Sequence, residues 1–454
     1  MGSVHCIGIG GVGMGALARC LLDRGWRVSG CDQKAGAAPA LAAAGARLLA
    51  GHDPAHLDPR PDLVVRSAAV RDDHPEVAAA RRAGIEVVKY AEMLGRLMAG
   101  RDGIAVSGCH GKTTTAGWIA WLLDRAGLAP GFVVGGVPAQ LGSGGRDGGG
   151  RPFVAEACEY DRSFHHLRPR IAVITNIEED HLDYYRDIDE IVEAFETFAA
   201  PAEVVVGCAD NGWVRRILAR HRGAARSYAL RAPADWQARD VSVQGGRWRF
   251  EALRNGAPAG RFAIALSGSH NVANALAVLA VGAELGIAAE TIAEALRGYT
   301  GVARRFQVLG ERRGVTVVDD YAHHPTEIAA VLGAARARWP GRPLWCVFQP
   351  HQHSRTRSLL HAFAGAFAGA DRVLLPDIYF ARDSEEERRK VTSEDLVRLL
   401  VAGGMEADYR PGFDDVLAAL EAGIPPGAVL ITLGAGTVDE VARRFLAGPA
   451  TPPV

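Results

Sequence analysis

Short apolar runs alternate with amphipathic stretches along the chain, and the first hundred residues show this most clearly. Four of these runs have the length of buried strands: residues 4–9, 27–32, 62–65 and 85–88. Between the first two runs, apolar residues from Met14 to Leu22 recur at helical spacing. Strands that alternate with helices predict a parallel α/β sheet, here in a Rossmann-like unit.

The same alternation starts again at Ile104 and once more after Gly301. The second pattern predicts strands near residues 104–106, 152–155, 171–175 and 203–206, with helices near 113–126, 187–199 and 271–285. The third pattern predicts strands near residues 315–319, 343–348, 372–375 and 428–433. We therefore expect three α/β domains, residues 1–99, 100–300 and 301–454. The glycine-rich run 142–150 predicts a flexible surface loop.

Composition narrows the class of protein. The 454 residues include 51 basic and 52 acidic side chains, a formal net charge of −1. Proteins that bind nucleic acid usually carry a basic excess, so we expect no such partner. No window approaches the ~18 apolar residues of a membrane span, and no signal peptide is recognisable. The seven cysteines contain no C-x-x-C pair, which favours reduced thiols and a cytoplasmic location.

A glycine turn follows the first predicted strand. Gly8, Gly10 and Gly13 match G-x-G-x-x-G, Gly11 lies within the same turn, and Asp32 follows the second strand. Such a turn lets the backbone approach a diphosphate at a helix N terminus, and the acid can bind a ribose hydroxyl. Alone, the motif fits an NAD-dependent oxidoreductase, or a tight turn that holds no ligand.

A second glycine loop, GCHGKTT, lies between the strand at 104–106 and a predicted helix. It begins at Gly108, has its second glycine at Gly111 and ends with Lys112, Thr113 and Thr114. Backbone amides in such a loop point at phosphate oxygens, lysine neutralises the β- and γ-phosphates, and the first threonine can bind Mg²⁺. A hydride-transfer enzyme needs no γ-phosphate site. The loop therefore predicts a P-loop-type ATPase in the central parallel sheet and weighs against an oxidoreductase.

Acidic and histidine side chains follow two further strands of the central pattern. Glu156 ends one apolar strand, at the sheet edge where α/β proteins bind ligands. A carboxylate there can hold Mg²⁺ against ATP, and Glu159 or Asp161 could replace it. His181 follows the next strand and either joins this site or stabilises its own loop.

The two glycine motifs, 100 residues apart, resemble those of the Mur ligases of peptidoglycan synthesis. The resemblance extends over essentially the whole chain and is strongest to the branch that joins L-alanine to UDP-N-acetylmuramate. It implies a Rossmann-like N-terminal domain that binds the UDP-sugar, a central ATP-binding domain and a Rossmann-like C-terminal domain that brings the amino acid. The glycine turn, Asp32 and Ser67 would then hold the sugar nucleotide rather than NAD.

The resemblance also assigns the metal site. It implies that Thr113, Glu156 and His181 bind Mg²⁺, with Asn176 and Asp180 behind them. Several Mur ligases use a carbamoylated lysine as a further metal bridge. This chain has no lysine between residues 113 and 389, which favours the alanine-adding branch.

The adenosine site is expected at the junction of the central and C-terminal domains. Asn271 and Asn274 share a helix face, and the family assigns both to ATP; Asn271 could cap the helix instead of binding ATP or in addition to it. Arg305, next to Arg304, resembles the family arginine that reaches the ATP phosphates. Asp320 resembles the aspartate that meets the ribose.

The amino-acid site is expected in the segment FQPHQHSRTR. By resemblance, His351 and Arg355 hold L-alanine, and a guanidinium suits an α-carboxylate. Gln352 stands where many members carry arginine. His323 and His324 line the site without an assigned role. The loop 433–437 fits a structural turn better than a ligand loop.

The expected reaction passes through an acyl phosphate, with Lys112, Glu156, His181 and Arg305 as the catalytic residues and ATP and Mg²⁺ as cofactors. We expect a monomer or a weak dimer. Cys109 and Tyr90 depart from the family pattern. The segment GFVVGGVP is also similar to the murein-peptide ligase, which adds tripeptide to the same sugar and remains an alternative.

Overall fold

The computed structural model describes residues 2–33, 38–381 and 383–448. It contains three sheets, of five, ten and six strands, that follow one another along the chain. Helices cover the sheets and buried aliphatic side chains fill the layers between them. The α/β class predicted from the alternation of apolar runs is confirmed.

The first sheet is parallel throughout, with strand order β3-β2-β1-β4-β5. Its elements are β1 (Ser3–Ile7), α1 (Val12–Asp23), β2 (Arg27–Asp32), α2 (Pro39–Ala43), β3 (Arg47–Ala50), a 3-10 helix (Pro54–Leu57), β4 (Leu63–Arg66), α3 (Pro75–Arg82), β5 (Glu86–Lys89) and α4 (Tyr90–Met98). The order reverses at β1, so a crevice opens at the carboxyl end of this strand, where the glycine turn begins.

The second sheet has the order β15-β14-β13-β12-β11-β10-β6-β9-β7-β8. Its elements are β6 (Asp102–Ser107), α5 (Lys112–Arg125), β7 (Gly131–Val133), β8 (Gly145–Arg146), β9 (Pro152–Glu156), a 3-10 helix (Tyr160–His166), β10 (Ile171–Ile174), α6 (Ile188–Ala199), β11 (Val204–Cys208), α7 (Gly212–Arg220), β12 (Ala224–Ala229), β13 (Trp236–Gln244), β14 (Arg247–Arg254), β15 (Ala257–Ile264), α8 (Ser269–Glu284) and α9 (Ala289–Gly298). The six central strands run parallel, and β13–β15 form an antiparallel meander that the sequence reading missed.

The third sheet has the order β16-β17-β21-β18-β19-β20, and only β16 runs antiparallel to its neighbour. Its elements are β16 (Gln307–Arg312), β17 (Val315–Asp320), α10 (Pro325–Arg338), β18 (Leu344–Phe348), α11 (His353–Ser358), α12 (Leu360–Ala366), β19 (Arg372–Leu375), α13 (Glu385–Arg388), α14 (Ser393–Ala402), β20 (Glu406–Tyr409), α15 (Phe413–Gly423), β21 (Val429–Leu433) and α16 (Asp439–Ala447).

The glycine-rich run 142–150 is not the flexible surface loop that its composition predicts. Residues Gly145 and Arg146 pair with β7, and Gly144 and Gly145 are buried. A Cβ atom on Gly145 would lie 1.8 Å from the carbonyl oxygen of Ala16 in α1. The prediction was wrong because these glycines serve close packing between the first and second sheets, which composition alone does not reveal.

Among the described residues, no helix has the length and apolar character needed to cross a bilayer. The strand ends that matter for function are those of β6, β9 and β10, which are neighbours in the central sheet and run parallel. Parallel neighbours place their carboxyl ends at one edge, so the loops that follow these three strands meet there.

Candidate active site

The glycine turn joins β1 to α1 and is held by the end of β2. The amide of Gly8 donates to the carbonyl of Cys31 at 2.9 Å, and the amide of Gly10 donates to Oδ2 of Asp32 at 3.1 Å. Gly8 has a φ of +84°, a left-handed conformation that favours glycine. Because α1 starts directly after Gly11, free amides and positive helix potential are available for an anion here.

Two side chains border this turn. A Cβ atom on Gly8 would lie 3.8 Å from Oγ of Ser67, and one on Gly13 would lie 3.5 Å from the ring of Tyr90. The structure thus places Ser67, predicted to bind the sugar nucleotide, next to Gly8 of the turn. Burial raises the pKa of the Tyr90 phenol, so a neutral ring borders the glycine turn.

The phosphate loop follows β6 and is braced by the loop after β10. Thr175 Oγ1 donates to the carbonyl of His110 at 2.6 Å, and the side chain of Asn176 bonds both the amide and the carbonyl of the same residue, at 2.9 and 3.0 Å. Gly108 and Gly111 have φ values of +135° and +81°. These positive φ values and the bracing bonds hold the loop open for an anion.

The remaining loop residues are fixed by packing. Thr113 and Thr114 lie buried in the first turn of α5. The Cys109 thiol donates to the carbonyl of Glu178 at 3.4 Å and accepts from its amide at 3.1 Å. Cys109 therefore ties the phosphate loop to the loop after β10.

Lys112 lies at the centre of the site. Its ammonium donates to the carbonyls of Gly108 and Cys109 and to Oε1 of Glu159 at 2.9 Å. Burial opposes the charged form, but the Glu159 carboxylate outweighs it and raises the pKa of Lys112, with a smaller contribution from Glu156. The lysine is therefore a fixed cation at the phosphate loop.

Three side chains form an acidic cluster beside this lysine: Glu159, Asp180 and His181, whose polar atoms lie within 4.8 Å of one another. Burial would raise the pKa of Asp180, but the positively polarised groups that face it, among them the Arg355 guanidinium, hold it well below its ordinary value. Burial lowers the pKa of His181, which leaves its ring neutral and able to bind a metal.

The cluster fits a divalent cation. Oε2 of Glu159 and Nδ1 of His181 are buried without a hydrogen-bond partner among the described residues, and buried polar atoms without partners are costly unless a ligand satisfies them. Carboxylate oxygens are the donors that Mg²⁺ prefers. Glu156, the acid predicted to bind the metal, accepts from the amide of Gly135 at 2.7 Å and is not part of this cluster. Glu159 is therefore the glutamate that lies next to Asp180 and His181.

A cavity of about 370 Å³ opens beside the phosphate loop, between the central and C-terminal sheets. This volume lies within the range of small-molecule sites. Its lining includes the predicted nucleotide residues Gly111, Thr114, Asn271, Asn274, Arg305 and Asp320. Burial raises the pKa of Asp320 to about 6, so the group is an anion at neutral pH and can accept hydrogen bonds from a ligand.

The asparagine pair lies buried on α8. Nδ2 of Asn274 donates to Oδ1 of Asn271 at 3.1 Å, and Nδ2 of Asn271 donates to the carbonyl of Ser267 at 2.7 Å. The helix starts after Gly268 and has no side-chain cap. The alternative that Asn271 caps the helix is therefore wrong, because its Oδ1 accepts from the Asn274 side chain and not from a backbone amide of the first turn.

The neighbouring arginines divide their roles. Arg304 turns into the C-terminal unit, where it contacts Asp319 at 3.1 Å and the carbonyls of Gly434 and Gly436. The loop 433–437 thus serves structure, as expected. Arg305 lines the cavity and lies 3.8 Å from Glu327. The choice of Arg305 as the residue facing the nucleotide agrees with this placement.

The C-terminal unit closes on the acidic cluster. Nη2 of Arg355 contacts Oδ1 of Asp180 at 3.3 Å, and Nη1 lies 3.5 Å from Nδ1 of His351. The His351 ring stacks on Tyr379 with centroids 5.4 Å apart. The structure therefore brings the two residues predicted for the amino acid together, beside the predicted metal residue His181.

The sequence reading missed a second group between the same units. His110 lies 3.2 Å from Glu327 and 3.3 Å from Glu178, and Thr326 Oγ1 donates to Glu178 at 2.8 Å. Burial opposes the charge of His110, but the two carboxylates raise its pKa to about 10. His323 lies 3.4 Å from the same Glu327. The sequence signal that could have indicated this group is Glu327, an acid four residues after His323 in the first turn of α10.

Comparison with known proteins shows which family models and relatives the chain matches. Residues 3–102 match the model of the Mur ligase family catalytic domain, residues 106–282 the Mur ligase middle domain, and residues 304–436 the Mur ligase glutamate ligase domain. A protein of Geobacter sp. strain M21 named UDP-N-acetylmuramate–L-alanine ligase is 43% identical, over 98% of this chain and 96% of its own. One of the same name from Acidithiobacillus ferrooxidans is 42% identical, over 97% of both chains.

Solved structures give the same result. A UDP-N-acetylmuramate-alanine ligase from Thermotoga maritima superposes with a TM-score of 0.83 at 26% identity, covering 98% of this chain and 99% of that one. A murein peptide ligase from Psychrobacter arcticus has a TM-score of 0.74 at 26% identity, with 98% of both chains covered. Family models across all three sheets and relatives above 40% identity over the full length leave one conclusion: the chain belongs to the Mur ligase family.

Proposed function

We propose that the protein is an ATP-dependent ligase that joins L-alanine to the lactyl carboxylate of UDP-N-acetylmuramate and releases ADP and phosphate. This reaction adds the first amino acid of the peptidoglycan stem peptide. Relatives 40–43% identical over nearly the whole chain carry the name of this activity. A nicotinamide oxidoreductase, the alternative from the first glycine turn alone, leaves the phosphate loop and the acidic cluster without a use.

Two contacts in one cluster support the proposal most directly. Arg355 of the C-terminal unit reaches Asp180 beside His181, and Lys112 reaches Glu159 in the same cluster. The residues proposed for the amino acid and for the γ-phosphate therefore converge on one point. A ligation needs this convergence because the amine must meet a newly phosphorylated carboxylate.

The three units would divide the work. Residues 1–99 would bind the UDP-sugar at the glycine turn, residues 100–300 would bind ATP, and residues 301–454 would bring L-alanine. All proposed site residues come from a single chain, so a monomer or a weak dimer suffices.

The first step activates the carboxylate. A carboxylate oxygen forms a bond to the γ-phosphorus, the bond from that phosphorus to the bridging oxygen breaks, and ADP leaves. Lys112 and Arg305 neutralise charge on the phosphates, and such electrostatic alignment accounts for most catalysis of phosphoryl transfer. Mg²⁺, when bound, adds charge neutralisation; Thr113, Glu156 and His181 would hold it, with Glu159 and Asp180 beside them.

The second step forms the amide. Arg355 and His351 would hold the α-carboxylate of L-alanine so that its amine faces the acyl phosphate. The nitrogen of the neutral amine attacks the acyl carbon, phosphate leaves with the electron pair of the broken carbon–oxygen bond, and the nitrogen gives up one proton, which the departing phosphate accepts. Closure of the C-terminal unit through Arg355 and Thr326 would exclude water, which otherwise hydrolyses the intermediate.

Phosphate release from ATP in the presence of Mg²⁺ tests the proposal. We expect release only when UDP-N-acetylmuramate and L-alanine are both present. Release with the sugar and L-alanyl-γ-D-glutamyl-diaminopimelate, but not with L-alanine, would instead identify a murein-peptide ligase. No release with either acceptor would overturn both assignments.

A further inference from the structure

A carboxylate of the C-terminal unit faces the cavity proposed for ATP. Glu327 lies in the first turn of α10, and its side chain is 11% exposed. It lines the cavity together with His110 of the phosphate loop and Arg305. A carboxylate beside a polyphosphate site repels the ligand unless cations neutralise its charge. The ligation mechanism described above gives this acid no role, so its role must follow from the cations around it.

Two cations from outside α10 surround the carboxylate. Oε1 of Glu327 lies 3.2 Å from Nδ1 of His110 and 3.8 Å from Nη1 of Arg305. Its other oxygen, Oε2, accepts from the backbone amide of His323 at 3.0 Å, which fixes the carboxylate at the start of the helix. Glu327 therefore connects the C-terminal unit both to the phosphate loop and to the arginine expected at the ATP phosphates.

The His110 ring is the link to the phosphate loop. Its Nε2 lies 3.3 Å from Oε2 of Glu178 in the central unit, so each ring nitrogen faces a carboxylate. This arrangement suits an imidazolium, which donates from both nitrogens. Burial opposes the charge, but Glu327 and Glu178 raise the pKa of His110 to about 10. The neighbouring His324 ring, with centroids 4.8 Å apart, stays neutral because burial lowers its pKa. At neutral pH the His110 ring is therefore a cation held between the two units.

We propose that Glu327 is a positioning residue for phosphoryl transfer and acts through His110 and Arg305; the inference rests on the proposed ligase function. His110 lies two residues before Lys112, so a contact that holds its ring also holds the phosphate loop against the C-terminal unit. The same carboxylate orients the Arg305 guanidinium within the ATP cavity. Phosphoryl transfer depends on such alignment of charges. Glu327 would therefore favour transfer only when the unit that carries the L-alanine residues is in place.

Removing the negative charge separates positioning from binding. Glu327→Gln keeps the size and shape of the side chain but leaves His110 and Arg305 without their shared counter-charge. Because an anion is lost from an anion site, the KM for ATP should not rise. Looser alignment should lower kcat by at least about tenfold. Water should also reach the acyl phosphate more often, so more than one phosphate should be released for each amide formed.

Steady-state kinetics and a product ratio test the inference. The wild type, Glu327→Gln and Glu327→Asp are assayed for phosphate and amide with UDP-N-acetylmuramate, L-alanine, ATP and Mg²⁺. We expect one phosphate per amide in the wild type, a lower kcat and excess phosphate in Glu327→Gln, and partial recovery of both in Glu327→Asp, which keeps the charge. The matched control is Glu394→Gln, because Glu394 lies exposed in the first turn of α14 in the same unit. This control should behave as the wild type.

A Glu327→Gln variant with the kcat of the wild type and one phosphate per amide would overturn the inference. A raised KM for ATP together with a lower Tm, neither recovered by Glu327→Asp, would also overturn it, since the acid would then serve folding only. No phosphate release from the wild type with any acceptor would overturn the proposed function and the inference together, whereas an active wild type with an unaffected variant overturns the inference alone.

A second measurement does not depend on a folded Glu327→Gln variant. It uses NMR of the wild type with ¹⁵N in its histidine rings, and the signal of His110 is identified by its loss in His110→Asn. At about pH 8, well above the usual histidine pKa of about 6.5, the His110 ring should still carry protons on both nitrogens. A neutral His110 ring at this pH would overturn the inference, because Glu327 would then not hold it as a cation.

Discussion

At the scale of single residues, the contiguous motifs could be predicted and the dispersed partners could not. The phosphate loop is a local sequence, so Gly108, Lys112 and Thr113 were identified from spacing alone. Glu159 was named only as a substitute, and Glu327 was not named, because their roles depend on which loops meet in space. No short sequence encodes the contact between Glu327 and His110.

Replacing Lys112 tests the phosphate loop. Lys112→Ala removes a buried cation held by two loop carbonyls and Glu159, so turnover should fall by at least about 100-fold, the usual cost of losing one transition-state donor. Binding of UDP-N-acetylmuramate, measured by calorimetry, should persist because its site lies in another unit. Lys390→Ala, at an exposed lysine paired with Glu386, serves as the control and should leave turnover unchanged. Loss of both turnover and sugar binding in Lys112→Ala would contradict the account.

Asp320 should make ATP binding depend on pH. Burial raises its pKa to about 6, so as pH falls from 7.5 to 5.5 the carboxylate takes up a proton and loses acceptor capacity for the ribose. We expect the KM for ATP to rise by up to about fourfold over this range, because about three-quarters of the carboxyl groups are protonated at pH 5.5. Asp320→Asn should show the raised KM at every pH. A variant that keeps the wild-type pH profile would exclude Asp320 as the cause.

At the scale of secondary-structure elements, the longer buried strands could be predicted, whereas the short buried strand β7 and the half-exposed strands could not. The parallel strands β6, β9 and β10 are continuous apolar runs, whereas β13–β15 carry arginine, glutamine and glutamate on an exposed face and do not stand out. The glycines of 142–150 were misread for a similar reason. They permit close contact with α1, and the partner surface is remote in the sequence.

Gly145 offers a test at this scale. Gly145→Ala would place a methyl group against the carbonyl of Ala16, so α1 and β8 must separate, and overpacking of this kind costs about 1–3 kcal/mol of unfolding free energy. Gly149→Ala is the matched control, because a Cβ atom there meets nothing within 4 Å. Thermal denaturation should show a lower Tm for Gly145→Ala only. Equal Tm values would mean that the glycine run is not packed as described.

At the scale of the whole molecule, contacts between the units bring the proposed site residues together. Sequence patterns indicated three sheets and, by resemblance, their ligands, but not the contacts across their junctions. Arg355 reaches Asp180 and Thr326 reaches Glu178, and both contacts join the C-terminal unit to the loop after β10. The amino-acid site is therefore complete only when these units are together.

Replacing Arg355 tests this arrangement. Arg355→Ala should raise the KM for L-alanine by about 10–100-fold, because a charge-assisted contact to the α-carboxylate is lost, with little change in the KM for ATP. The control is Arg357→Ala, which replaces an exposed arginine two positions after Arg355 that pairs with Glu387. This variant should leave both KM values unchanged. If Arg355→Ala raises both KM values equally, the residue acts in closure rather than in binding the amino acid.

The central claim is that the carboxylate of the sugar nucleotide is activated as an acyl phosphate before the amine attacks. Its most direct test uses UDP-N-acetylmuramate labelled with ¹⁸O in the lactyl carboxylate, together with ATP, Mg²⁺ and L-alanine. Mass spectrometry should find one ¹⁸O atom transferred to each released phosphate and the other retained in the amide product. Released phosphate free of ¹⁸O would contradict the account.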